Sequence, residues 1–527
     1  MKRTLAIPLS LLATAVAVRV GLIFRYRFDS DEPQHMHVAW GWAHGLAQYR
    51  DVFDNHMPLF HLLSSPLFAA TGDDPRLLYA ARLSMLPLFL AALFFVWRIA
   101  RSLFDDTTAW WSTALAALVP PFFLGSLEYR TDDLWLVLWL AVIAVAVGNS
   151  SPVRKAAIGG LLLGGAFGVS MKSTLYVAVL LIALAATLAL TMRRAPLPPG
   201  RLIAKCVAIA AATTAVIPLL IAGVFAAMGL WQPFVYGVFA HNSVPFVHAW
   251  HVLWFIPLYF TIRAIALRIA RSDGDPSLVR RRLFTFLACG VYLALYASFA
   301  PMTNLETYLP WYPLAAVLAT PLLMRRERWL PAIAAAMLPV IIVVAQPWRN
   351  AAEHSIVLVE EVLALTSPSE TVMDLKGETV FRPRPFYFVL EAVTNLKLGV
   401  GVIRDTIADT LVQSRTYVVA GVELFPPAAR RFVERYYVPW GAVHVAGAQL
   451  QPLRDGLGES FDIAVPGPYV VLGERGVVRA TIDGCAVGRS GIVLAAGRHR
   501  VIAHERAERP VVVWSGTLRS LRFRSER

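Results

Sequence analysis

Along the first two thirds of the chain, apolar stretches near or above the length of a bilayer crossing alternate with short polar or Arg-rich turns. The runs fall at residues 5–24, 79–98, 106–126, 133–149, 156–171, 174–191, 202–229, 251–270, 282–300, 307–324 and 329–346. They predict about eleven transmembrane helices, since a crossing needs about 20 apolar residues. The connection at residues 28–78 is too long for a simple turn. Within it Met36, Val38, Ala39, Trp40, Trp42 and Ala43 alternate with histidines, a pattern suited to a helix lying at the membrane interface. A second apolar stretch then runs through Phe68.

After residue 350 the spans stop, and the remainder is long enough for one or two soluble domains. Residues 351–455 mix helical patterns, such as Pro427–Tyr437, with short strands, such as Thr416–Gly421. Residues 456–527 carry β-like runs at Phe461–Val465, Tyr469–Leu472, Val477–Ile482, Ile492–Leu494, His499–Ala503 and Val511–Trp514. The expected architecture is an α-helical polytopic membrane domain over residues 1–350, an α/β region over 351–455 and a small β-domain over 456–527. No internal repeat is visible, which disfavours the repeated halves of many transporters.

Composition agrees with the pattern: of 527 residues 57% are hydrophobic and 16% charged, and the mean hydropathy is +0.56. A net charge of +14 would by itself invite a nucleic-acid partner, but most of the excess has another explanation. Lys2 and Arg3, Arg98 and Arg101, Arg154 and Lys155, Arg193, Arg194 and Arg201, Arg271 with Arg280, Arg281 and Arg282, and Arg325, Arg326 and Arg328 all fall on one side of the predicted spans. The opposite connections at residues 231–250 and 301–306 contain no Lys or Arg. Basic loops stay in the cytoplasm. The N-terminus is then cytoplasmic, while loop 28–78 and the C-terminal region lie outside; the bilayer is the partner of the basic face, and no nucleic acid is expected. Met1-Lys2-Arg3, the first apolar run and Ala15-Val16-Ala17 resemble a cleavable signal peptide, but the run continues past Arg19 to Phe24, so a retained span is expected. Cys206 and Cys289 fall in predicted spans and Cys485 in the soluble region, which gives no disulfide framework.

The chemistry of the chain begins where the first run ends, at Asp29, Asp31 and Glu32. Asp31-Glu32 is followed on the outer side by Gly45, Tyr49-Arg50-Asp51 and His56-Met57-Pro58-Leu59. Arg82 at the second run, Arg130-Thr131-Asp132-Asp133 before the fourth, and Gly168-Val169-Ser170-Met171-Lys172 continue the set. In this order the motifs resemble those of the GT-C glycosyltransferases, in particular the bacterial protein O-mannosyltransferases and lipid A aminoarabinose transferases. The resemblance covers residues 1–350 in topology, and its motifs concentrate in about the first third. It implies a bacterial inner-membrane enzyme that transfers a sugar, with inversion, from a polyprenyl-phosphate donor. The acceptor would be an extracytoplasmic glycan, glycolipid or protein.

Such chemistry asks for one carboxylate base. The acceptor hydroxyl must lose a proton as it attacks the anomeric carbon, whereas a lipid phosphate leaves as a stabilised anion and needs no acid, unlike the alkoxide of glycoside hydrolysis. Asp31 matches the Asp of the family's Asp-Glu pair and is the expected base, with Glu32 beside it orienting the acceptor or acting through like-charge proximity. The plainer alternative makes these acids solvate a loop or cap a helix starting near Pro33, and Asp29, which lacks the motif match, reads as a solvated loop residue. For the donor phosphate the candidates are Lys172, His56, Arg82 and Arg130, with Asp132 completing an acidic cavity. His56 stands where many relatives carry Lys, and Lys172, Arg82 and Arg130 have a second reading as interfacial anchors. Asp133 reads equally well as a first-turn acid of its helix. Tyr308, with Pro310, Trp311, Tyr312 and Pro313, matches the family's aromatic-proline segment or a membrane aromatic belt. His241, Asn242, His248 and His251 are unranked acceptor contacts.

Asp31, Asp132 and Asp133 offer oxygen atoms to a divalent ion, but His35, Glu32 and His37 follow no zinc spacing, and no essential metal or other cofactor is expected. Two other classes compete with the enzyme. A lipid-linked glycan transporter would also need a lipid-accessible cavity, and Pro120-Pro121 breaks a span as transporters often do. A non-catalytic sugar-binding receptor would use the C-terminal region but leave the first-loop acids without a role.

Overall fold

The computed structural model describes residues 2–194, 196–243, 249–300, 305–325, 329–453, 458–474, 476–488 and 490–525. His248, Arg326 and Arg328 lie outside the described residues. The chain forms two compact units: Met1–Arg27, Asn55–Ser64 and Tyr79–Ala351 make the first, and Phe28–Asp54, Ser65–Leu78 and Ala352–Arg527 the second.

Every predicted apolar run lies on helix. In chain order these are α1 (Lys2–Ile23), α2 (Asp31–Ala43), α3 (Leu59–Thr71), α4 (Leu77–Leu83), α5 (Leu86–Leu103) and α6 (Asp106–Leu118). There follow α7 (Pro120–Gly125), α8 (Thr131–Val147), α9 (Pro152–Val169), α10 (Ser173–Thr191) and α11 (Gly200–Ala227). The helical unit closes with α12 (Trp231–Val235), α13 (Phe255–Ala270), α14 (Pro276–Phe299), α15 (Trp311–Met324) and α16 (Trp329–Ala345). Among the described residues, seven helical stretches are long and apolar enough to cross a membrane: Leu5–Ile23, Leu77–Leu103, Ser173–Thr191, Gly200–Ala227, His251–Ala270, Pro276–Phe299 and Trp329–Leu365. The other predicted runs lie on α6 with α7, on α8, on α9 and on α15, helices that are shorter or that open on polar residues.

Two sequence features shape the helical unit. Pro120 and Pro121 end α6, because Pro offers no N–H and displaces the preceding residue from helical geometry; Val119 is extended at φ −60°, ψ 113°. Carbonyls at the end of α7 find a donor in Arg19, 1% exposed near the C-terminal end of α1, whose guanidinium reaches Phe123 O at 3.0 Å and also binds the carbonyl of Ser126. Sequence periodicity passes over Arg19 as an interruption of an apolar run; in the fold it satisfies carbonyls at the C-terminal end of α7. Close helix approach comes from Gly160, Gly164 and Gly168 of α9, spaced four apart on one face. A Cβ on Gly160 would stand 2.6 Å from Ala210 O of α11, and one on Gly164 2.6 Å from Thr214 O. Only glycine lets these backbones meet.

In the second unit, α2 is buried from Glu32 to Gly41, so Met36, Val38, Ala39 and Trp40 pack as core rather than lying open at an interface. Trp40 Nε1 donates to Asp73 Oδ1 at 3.0 Å. The C-terminal part contributes α17 (Glu353–Leu365), β1 (Val372–Met373), α18 (Ala392–Gly399), α19 (Ile407–Gln413), β2 (Val418–Val419), α20 (Pro427–Tyr436), β3 (Tyr437–Trp440) and β4 (Val443–Gln449). Then come β5 (Gly458–Ile463), β6 (Gly467–Gly473), β7 (Gly476–Val477), β8 (Ala480–Ile482), β9 (Cys485–Ala486), β10 (Ile492–Leu494), β11 (Gly497–Ala503), β12 (Val511–Trp514) and α21 (Thr517–Ser525).

One sheet runs β1-β2-β4-β12-β6-β10, with β3 added on β4 and β7 on β6; a smaller one runs β5-β11-β8-β9. The division drawn at residue 455 passes through the larger sheet: Val512 of β12 pairs with Ala448 of β4 on one side and Val471 of β6 on the other. Alternation located β5, β6, β10, β11 and β12, but it ran β7 and β8 together, left β1, β3, β4 and β9 unmarked, and carries no information about a strand's partner. A single apolar core, including Val445, Val471, Val512, Tyr469 and Trp514, joins both halves, and Trp514 stacks on Tyr417 at 4.7 Å and 6°.

Candidate active site

The acidic cluster sits at the start of α2, in the second unit. Asp29 and Glu32 accept bonds across the first turn: Glu32 Oε1 from Asp29 N at 2.9 Å, and Asp29 Oδ1 from Asp31 N at 3.2 Å. This is the satisfaction of orphan helix N–H groups that caps provide, and it gives Asp29 and Glu32 a structural role at this terminus. Asp31 has a different partner. Its Oδ1 lies 2.6 Å from Nζ of Lys376, which also donates to Ser30 Oγ at 3.0 Å.

Lys376 belongs to a charged loop after β1 that the sequence reading passed over. Asp374, 1% exposed, organises it. Its Oδ1 accepts from Gly377 N at 2.8 Å and Arg384 Nε at 2.7 Å, and its Oδ2 from Thr379 N at 2.9 Å and Thr379 Oγ1 at 2.8 Å. Glu378 Oε2 accepts from Lys376 N at 2.7 Å. Burial, reinforced by the charge of Asp374, pushes the Glu378 carboxyl up to about 7. The loop leans on α2, where His37 Nδ1 meets Val380 O at 2.7 Å. Burial lowers the pKa of His37, against the pull of that carbonyl and of Asp374. Arg382 Nη1 holds Asp73 Oδ2 at 2.9 Å, and Tyr387 OH donates to Tyr49 O at 2.5 Å.

The helical unit holds a second cluster, built from helix ends. Lys172, in the turn between α9 and α10, places Nζ 3.1 Å from Asp132 Oδ1 at the start of α8 and lies over the Trp135 ring at 5.8 Å. Trp135 Nε1 donates to Ser173 Oγ at 3.0 Å, and Tyr176 stacks between Trp135 and Trp139 at 4.4 and 4.3 Å. Arg130 reaches three carboxylates: Glu128 at 3.5 Å, Glu306 at 3.5 Å and Asp132 at 3.7 Å. His56 lies near Asp132. Next to it Asn55 and Asn242 bond each other, Asn242 Nδ2 donating to Asn55 O at 2.8 Å.

The predicted residues thus separate into groups. Asp132, Arg130 and Lys172 come together, with His56 nearby; Asp31 is joined to Lys376. Arg82 is fully buried and bonds the last carbonyls of α1 and beyond, Tyr26 O at 2.7 Å and Arg27 O at 2.5 Å, which fixes the entry to loop 28–78. Tyr308 packs edge-on to Tyr296 at 4.7 Å. Asp133 is buried beside Asp132, and its Oδ2 has no hydrogen-bond partner among the described residues. Glu128, Glu306, Lys376 and Asp374 were missed. Among the described residues no group of three or more His, Cys, Asp or Glu is arranged to hold a metal ion.

No family model matches the chain, and no curated protein sequence matches it. Solved structures do. ArnT from Cupriavidus metallidurans in the apo state superposes with a TM-score of 0.59 at 13% identity, over 83% of this chain and 97% of that one. The same protein bound to undecaprenyl phosphate gives 0.59 at 12% identity with the same coverage. The chain has the GT-C fold. An Archaeoglobus fulgidus oligosaccharyltransferase aligns at 11% identity over 89% of this chain and 74% of that one, with a TM-score of 0.49. A likeness covering 83% of the chain does not fit within residues 1–350, which are about two thirds of it, so the GT-C resemblance extends past the region that its motifs mark. The helical unit, with its multiple membrane-length helices, is the membrane part of that fold.

Proposed function

We propose that the chain is an inverting glycosyltransferase that takes a sugar from a polyprenyl-phosphate donor and transfers it to an extracytoplasmic acceptor, with Asp31 as the general base. The carrying observation is the carboxylate of Asp31, bonded to an ammonium at 2.6 Å at the head of a buried helix, in a chain with the fold of ArnT. Support for the donor class comes from the ArnT structure that holds undecaprenyl phosphate. The acceptor hydroxyl attacks the anomeric carbon on the face opposite the phosphate, Asp31 takes the hydroxyl proton, and the C–O bond to phosphate breaks with its electron pair on the lipid phosphate. Of the two cations in this cluster of the helical unit, Lys172, 37% exposed, is better placed to meet an anion than Arg130, 6% exposed, which holds the carboxylates around it. The site and the C-terminal region face the extracytoplasmic side of a bacterial inner membrane, following the basic-loop asymmetry.

The test is transfer of radiolabelled sugar from a panel of polyprenyl-phosphate sugars, by wild type and Asp31→Asn in liposomes containing total cell-envelope glycolipid. Wild type transfers label, and Asp31→Asn is slower by about 10²- to 10⁴-fold, the contribution of a positioned base. No transfer by the wild type from any donor overturns the enzymatic reading in favour of a glycan transporter. Transfer undiminished in the variant assigns the proton to another group.

A further inference from the structure

We propose that Lys376, from the C-terminal region, is a positioning residue for Asp31: its ammonium holds the carboxylate in place and charged for proton abstraction. The inference rests on the reading of Asp31 as the base. The two residues are 345 positions apart, yet Nζ and Oδ1 are 2.6 Å from one another, with Lys376 18% and Asp31 31% exposed. A flexible surface lysine would reach such a position only at the expense of its rotamer entropy. Here the backbone beneath it is fixed on both sides. Lys376 N–H is bonded to Glu378, the Gly377 N–H to Asp374, and Gly377 adopts φ +107°, a region that favours glycine. Space demands glycine at that position too, since a Cβ there would stand 2.8 Å from Cβ of His37 on α2. The loop is therefore built against the helix that carries Asp31, and the lysine is delivered by that packing.

Chemistry gives the pairing a purpose. A carboxylate base and a departing lipid phosphate are both anions, and a site that brings them together without a cation would push the base towards its protonated, inactive form. An ammonium on the carboxylate prevents this.

The experiment uses full-length protein in liposomes and has two independent readouts. Treatment with a water-soluble carbodiimide, which condenses a carboxylate with an adjacent amine, should yield an Asp31–Lys376 crosslinked peptide by mass spectrometry, absent from Asp31→Asn and Lys376→Met. A wild type without that crosslink overturns the pairing, whatever the activity. In the transfer assay Lys376→Met should lower kcat by about tenfold, the size of an ordinary contact coupling, and move the acid limb of the pH–rate profile to higher pH. Lys376→Arg should recover most of the rate, and Lys376→Met combined with Asp31→Asn should be no slower than Asp31→Asn alone. Asp31→Asn inactive with Lys376→Met matching wild type in kcat and acid limb overturns this inference alone; Asp31→Asn fully active overturns the assignment of the base and the inference with it.

Discussion

The two charged clusters of this protein are assembled in opposite ways. In the helical unit Arg130 is shared among three carboxylates at 3.5–3.7 Å, and Lys172 remains partly open to solvent. In the second unit Asp374 is saturated by four hydrogen bonds of 2.7–2.9 Å and is buried. A partly exposed lysine at a helix end can turn to another anion when one arrives, whereas a buried, fully bonded carboxylate resists any change. The first arrangement suits a group that must meet a ligand. The second suits a scaffold whose task is to hold one side chain, Lys376, in place.

The largest effect expected from breaking this contrast comes from the sheet that underlies the scaffold. Ending the chain at residue 455 removes β6, β10 and β12 and leaves β4 without its β12 partner, so the C-terminal region should lose its fold. Limited proteolysis would show it as rapid cleavage within residues 352–455; a truncated protein as resistant as the full chain would mean that the two halves fold separately. Next in size is Asp374→Ala, which strands Arg384 and the N–H groups of Gly377 and Thr379. Breaking a buried ion pair by removing one partner costs about 3–5 kcal/mol. Hydrogen exchange at Thr379 and neighbouring amides should rise accordingly, while the helices of the first unit stay protected.

The same contrast explains what could be read from sequence. Asp132 and Lys172 were legible because helix ends in a membrane protein are marked by the switch from apolar to charged residues, and each sits in a short run with its own signature. Arg130 was legible too, but its partners Glu128 and Glu306 were not, as nothing in the spacing says which outer loops meet. Most strands beyond residue 455 were found by alternation, and α20 by its periodicity, but β7 and β8 were run together, the two-residue β9 was passed over, and the sheet that joins these strands to β4 was invisible. Lys376 was the hardest. Its loop reads as an ordinary charged turn, and its relation to Asp31 exists only after α2 and the C-terminal region have packed. Arg19 was hidden in another way, since one basic residue inside a long apolar run is a small perturbation to a hydropathy pattern, and nothing in the spacing says that it meets the carbonyls of Phe123 and Ser126 a hundred residues on.

For the open cluster, Lys172→Met should weaken donor use without disturbing the fold. A charged hydrogen bond contributes about 1.5–3 kcal/mol, so the donor KM should rise about tenfold or more. A proportionate fall in kcat at unchanged KM would instead mean that Lys172 acts only in the transition state. The melting temperature should fall modestly, because Asp132 is then left with Arg130, which it shares with Glu128 and Glu306.

The smallest effect concerns the acid at the end of the rigid loop. The Glu378 carboxyl is pushed up to about 7 from 4.5 by burial and then by Asp374, so the folded state holds its proton more tightly than the unfolded chain does. The stability this provides is fully present below about 4.5 and is lost as pH rises through about 7. Glu378→Gln keeps an oxygen that can accept from Lys376 N–H but removes the titration. The melting temperature of the wild type should therefore fall relative to the variant between pH 5 and pH 8. His37 changes stability in the opposite direction: burial lowers its pKa, so the fold favours the neutral ring and loses stability as pH falls below 6.5. That contribution is present in both proteins and cancels in the difference, which leaves the relative slope as a measure of Glu378 alone. Parallel curves would mean that the carboxyl is already ionised at pH 5, with Arg384 close enough to outweigh both its burial and its neighbour Asp374.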